Sequence, residues 1–93
     1  MSKHIGSRLD DFLEHDDLLA ETEAVATKRV IAWQIEELMN QEGLNKSEMA
    51  RRMGTSRSAL ERLLDPSNPS VTLLTIERAA MALGKKVRVE LAA

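Results

Sequence analysis

Apolar residues recur at helical spacing through most of the chain and alternate only near its end. Ile31, Ile35, Leu38 and Met39 predict a core helix that reaches about Glu42, with Gly43 closing it. Upstream, Leu9, Phe12 and Leu13 form a small stripe behind Ser7, a candidate N-cap, which predicts a short helix from Ser7 to Glu14. Asp16 or Asp17 then starts a longer helical stretch, in which Leu18 to Ala26 either runs into the core helix or breaks near Thr27. Asn45 opens the next helix, and Glu48 three residues on completes a capping box. Its buried side is Met49, Ala50 and Met53. Ser56 caps a further helix that reaches about Leu64, with Leu60, Leu63 and Leu64 on one side and Arg57, Ser58, Glu61 and Arg62 on the other. Asp65-Pro66 halts it, and Ser67 to Ser70 is a loop. Thr72 caps a fourth core helix containing Leu73, Leu74, Ile76, Ala79, Ala80 and Leu83, ended by Gly84.

The tail breaks this rhythm. Lys86-Val87-Arg88-Val89-Glu90-Leu91 alternates strictly between polar and apolar, which predicts a short strand. One strand cannot pair its own backbone groups, so it needs a partner. Ser70 to Leu73 offers at most a brief one, and the economical solution is the same tail of a second copy, or a partner protein.

The stretch from Lys46 to Leu64 reads as two helices joined by a glycine turn, at the spacing of a DNA-reading helix-turn-helix. Ala50 permits close approach of the second helix, Gly54 a left-handed turn, and Leu60 anchors the second helix in the core. The face formed by Arg57, Ser58, Glu61 and Arg62 then points outward with the donors and acceptors that base edges require. Arg57 suits guanine O6 and N7, and Glu61 suits cytosine N4 or serves to orient an arginine. Ser56, at a helix start, and Lys46, at another, are placed for phosphates, with Asn68, Ser70 and Thr72 flanking them.

Composition sharpens this picture in three ways. A chain of 93 residues supports one small domain with a short appendage, and aromatic residues at 2% leave the core to aliphatic side chains, which favours an all-α fold. There is no cysteine, hence no disulfide and no thiolate metal site. No apolar run approaches the ~20 residues of a membrane span, and the N-terminus has no signal-peptide core, so a cytoplasmic, nucleoid-associated protein is expected. The net charge of −2 hides a split. Before Val25, Asp10, Asp11, Glu14, Asp16, Asp17, Glu21 and Glu23 face only Lys3 and Arg8, whereas from Lys46 to Leu64 five basic residues outnumber Glu48 and Glu61. An acidic head and a basic middle point to two kinds of partner.

Leu44 to Asp65 resembles the helix-turn-helix of the Cro/C1-type (XRE) repressor family, through Leu44-Asn45, Ala50, Gly54-Thr55-Ser56 and Leu60, and the pattern extends from about Ile31 to Leu83. More narrowly, residues 49–57, Leu63-Leu64-Asp65-Pro66, Ser70-Val71-Thr72-Leu73, Ala82-Leu83-Gly84 and the terminal strand resemble small bacterial and phage regulators, many of them HigA-like antitoxins paired with RelE- or HigB-like ribonuclease toxins. The resemblance implies a lambda-repressor-like helical bundle that dimerises on a palindromic operator in double-stranded DNA. Together with the charge split, it divides the chain into an acidic helical extension at residues 1–26 and a DNA-binding domain with its C-terminal strand at residues 27–93. It also implies a repressor acting as antitoxin and autorepressor, with a stand-alone phage-like repressor as the alternative. The terminal strand departs from the simplest phage repressors.

Other classes fit less well. His4 and His15 are the only histidines and have no partner at metal-ligand or catalytic spacing, so no enzyme, metal or cofactor is expected. Trp33 is expected to be a half-buried packing residue, and Met39, Met49, Met53 and Met81 are expected to fill the core. An interaction module that has lost DNA binding is the rival from another class; arginine on the reading face argues against it.

Overall fold

The computed structural model describes the backbone of residues 2–92 and the side chains of residues 18–92. The fold is all-α, with helices α1 (Ser2–Glu42), α2 (Lys46–Met53), α3 (Arg57–Leu64) and α4 (Leu73–Ala82). α2 packs against α3 and α4, and α3 packs against α1. The shared core holds Ile35 and Met39 from α1, Met49, Ala50 and Met53 from α2, Leu60, Leu63 and Leu64 from α3, and Ala79 and Leu83 at the end of the chain's last helical segment. Leu44 completes it from the first connection. Complete removal of Met49 and Leu60 from water supplies about 1.5–3 kcal/mol for each side chain.

Local chemistry sets the helix ends. Asn45 accepts from the Glu48 backbone N–H at 2.8 Å, Ser56 from Ala59 at 3.1 Å and Thr72 from Thr75 at 3.2 Å. The capping box is looser than expected: the Glu48 carboxylate meets the Asn45 side-chain amide at 3.4 Å rather than the Asn45 backbone. Three helices end with the same backbone bond across a glycine, Leu44 to Met39, Thr55 to Ala50 and Lys85 to Ala80, in each case an N–H reaching back five residues. At Gly54, φ is +68°, a conformation that an L side chain enters at a cost, and it turns the chain from α2 into α3 within three residues.

Four expectations need correction. α1 is one helix from Ser2 to Glu42, with no break between Glu14 and Asp16, because capping side chains stop a helix only where the backbone also leaves helical geometry. Of the two alternatives upstream of the core helix, Leu18 to Ala26 runs into it. The Ser7 cap and the stripe of Leu9, Phe12 and Leu13 concern side chains outside the described residues. Trp33 is 61% exposed rather than half-buried, and Met81 is 75% exposed rather than in the core. Leu73 and Leu74 also lie on the surface, and α4 contributes chiefly Ala79, with Ile76 and Ala80 half-buried. A ten-residue helix laid on one side of a small bundle buries one narrow stripe, and these side chains stand off it. Finally, no strand forms among the described residues. Residues 85–92 run without a ladder, and Ser70 to Leu73 does not pair with them, since Leu73 already begins α4.

Candidate nucleic-acid interface

α3 separates its two faces sharply. Leu60, Leu63 and Leu64 are buried, whereas Arg57, Ser58, Glu61 and Arg62 are all exposed. Helical geometry alone accounts for this, because residues one, four and five apart fall on one side and the leucines on the other. Arg57 donates from Nε to Glu61 Oε1 at 3.3 Å, a pair one helical turn apart. With both side chains at least half exposed, the pair contributes under about 1 kcal/mol to stability. Its effect is geometric. Glu61 holds the guanidinium by Nε and leaves the terminal nitrogens of Arg57 without a partner among the described residues, enough for a fork of two hydrogen bonds.

Four of the nominated residues share a single concavity. Arg62, Asn68, Ser70 and Thr72 line an open groove of about 460 Å³ together with Ala59, Leu63, Pro69, Val71 and Thr75. Two of them already have local duties. Asn68 Oδ1 accepts from the Ser70 N–H at 2.9 Å, and Thr72 Oγ1 caps α4 while lying 2.9 Å from Thr75 Oγ1. Ser56 likewise accepts from the Ala59 N–H, so what its hydroxyl has left to offer a ligand is its proton. Lys46 stands apart, beside Glu36, Asn40, Asn45 and Leu64 in a different hollow at the start of α2. Of the other cations in this region, Arg52 is turned away to Glu42, at 3.4 Å.

Sequence reasoning missed the residue that holds this surface together. Lys28, on α1, is 1% exposed, and its Nζ donates to the carbonyl oxygens of Arg62 at 2.9 Å, Asp65 at 2.7 Å and Asn68 at 2.8 Å. Those carbonyls lie at and just past the end of α3, where a helix has no amides of its own to satisfy them. An ammonium has three protons, and here each finds an acceptor. Burial pulls the Lys28 pKa below its ordinary value, with the Asp65 carboxylate opposing that shift. Asp65 is itself held below the usual carboxylate range, first by the Ser67 hydroxyl at 2.7 Å and the Ser67 N–H at 3.0 Å, and to a lesser degree by Lys28. The signal in the sequence was the register: Lys28 precedes Ala32, Ile35 and Met39 at spacings of four, seven and eleven, on the buried stripe of α1.

No family model, curated protein or solved structure matches this chain. Among the described residues, no helix is long and apolar enough to cross a membrane.

Proposed function

We propose that this chain is a sequence-specific DNA-binding regulator of transcription, in which α2 and α3 act as a helix-turn-helix and α3 enters the major groove. The observation that carries the reading is the division of α3, whose leucines are buried while Arg57, Ser58, Glu61 and Arg62 project outward. A groove about 12 Å wide accepts one helix, and the side chains offered are those that pair with base edges. The hollow lined by Arg62, Asn68, Ser70 and Thr72 then lies alongside for the phosphate backbone, with Ser56 and Lys46 at the two helix starts. In this reading the chain works in the XRE manner, as a homodimeric repressor on a palindromic operator at the nucleoid.

The charge split supports a more specific role as the antitoxin and autorepressor of a toxin-antitoxin pair. The acidic head suits a basic RelE- or HigB-like toxin, while the basic middle suits DNA. The test for DNA reading is fluorescence anisotropy with duplexes tiled across the DNA upstream of the chain's own gene, against shuffled duplexes. One duplex is expected to bind far more tightly than its shuffled form, with log K falling linearly as log salt rises. Equal affinity for every duplex, or none for any, overturns the proposal. Co-expression with the neighbouring reading frame tests the antitoxin role separately, through co-purification of a small basic protein.

A further inference from the structure

Residues 85–89 line an apolar groove, and residues 86–92 run on without pairing. The groove, about 200 Å³, is lined by Ile31, Ile35 and Leu38 of α1, Ile76 and Ala80 of α4, and the tail's own Val87 and Val89. Among the described residues, no backbone N–H or C=O of residues 86–92 makes a hydrogen bond within the chain. Val87 is half-buried, whereas Val89 is 69% and Leu91 98% exposed, so the apolar side of the tail is covered at one end only. A segment with unpaired backbone and bare apolar side chains at Val89 and Leu91 is a template for another strand.

We infer that this tail is the interface with a second copy of the chain, paired antiparallel to itself about a two-fold axis through Val89. The choice of occupant follows from the register. In a self-paired antiparallel ribbon centred on Val89, each residue faces the one whose number completes the same sum. Val87 then meets Leu91 of the second copy, Val89 meets Val89, and Arg88 meets Glu90. Val87, Val89 and Leu91 of both copies fall on one side and the two symmetry-related Arg88–Glu90 pairs on the other. Arg88 and Glu90 already lie side by side within one chain, with Arg88 Nε 2.8 Å from Glu90 Oε1. The alternative centre at Arg88 sets Arg88 against Arg88 and leaves Leu91 without an apolar partner in the tail. A two-stranded ribbon is marginal by itself, and the groove supplies what it lacks. Leu91 of the second copy falls next to Val87, over Ile31, Ile35 and Leu38, covering the side chain that is most exposed in the single chain.

The inference does not depend on DNA binding, and cross-linking of the full-length chain tests it. The natural chain has no cysteine, so one introduced residue reports one position. Val89→Cys sits on the axis, where facing Cα atoms in an antiparallel pair are about 4.5–5.5 Å apart, within the range a disulfide spans. Mild oxidation is expected to convert V89C to a covalent dimer while V87C and L91C alone stay monomeric, and a mixture of V87C with L91C gives the cross-linked pair. Charge reversal supplies a second reading by sedimentation equilibrium. R88E and E90R are each expected to dimerise roughly tenfold more weakly, and mixing them restores the dimer, since each then faces its opposite. These substitutions lie outside the core, so helicity by circular dichroism stays unchanged. A chain that sediments as a monomer overturns the inference, as does V89C cross-linking no faster than V87C.

Discussion

Lys28 and Asp65 are joined by a 2.7 Å hydrogen bond from the buried ammonium to the backbone carbonyl, and the same nitrogen holds the carbonyls of Arg62 and Asn68. One side chain of α1 thus satisfies the C-terminal end of α3 and fixes the path of the loop that follows. That loop carries Asn68 and Ser70 into the groove shared with Arg62 and Thr72. The first helix and the proposed DNA surface are therefore one mechanical unit.

Replacing that ammonium tests its weight. Lys28→Met keeps the length and apolar stem of the side chain but leaves three carbonyls without their donor. The expected loss is about 3 kcal/mol of folding stability, read as a lower urea midpoint at unchanged slope. A change under about 0.5 kcal/mol would show that water replaces the ammonium without penalty.

Gly54 isolates a backbone cost from a packing cost. A Cβ built there has no heavy atom within 4 Å, so Gly54→Ala meets open space and pays only for its φ of +68°. The variant is expected to lose about 1–2 kcal/mol by thermal or urea unfolding, with its helices retained. A neutral result would mean that the turn relaxes to a right-handed form.

Acid stability carries the signature of Asp65. Its folded pKa lies below the ordinary 3.8, so between the two values the unfolded chain binds more protons and stability rises with pH. The contribution is present above 3.8 and is lost as pH falls through the lower folded value. Asp65→Asn keeps an oxygen for Ser67 but removes the titration. Stability measured from pH 5 downward is expected to fall less steeply in the variant, and parallel curves would remove Asp65 from the account.

On DNA, the proposed division of labour separates two variants. Arg57→Ala is expected to cost about 1–3 kcal/mol on the preferred duplex and to blur discrimination at one base pair. Lys46→Ala should weaken all duplexes alike and lower the salt slope by about 1. If both variants bind as the natural chain does, α3 is not the reading helix.

What the sequence determined by itself is local. Asn45, Ser56 and Thr72 cap the helices they were expected to cap, because a cap needs only a side-chain oxygen and an amide three residues away. The buried sides of α2 and α3 were equally legible, since helical period places Met49, Ala50, Met53, Leu60, Leu63 and Leu64 inward whatever else surrounds them. The tertiary structure alone decided where residues distant in the chain meet. Lys28 lies on the buried stripe of α1, but only the fold closes carbonyls 34, 37 and 40 residues away around it. Leu73, Leu74 and Met81 read as core, and Trp33 as half-buried, until the bundle proves too narrow to cover them. The tail shows the same division: alternation announces a strand, but a ladder needs a second backbone, and none lies alongside residues 86–92 among the described residues. Period and capping are set by neighbours a few bonds away, whereas burial and pairing depend on which surfaces the folded chain brings together.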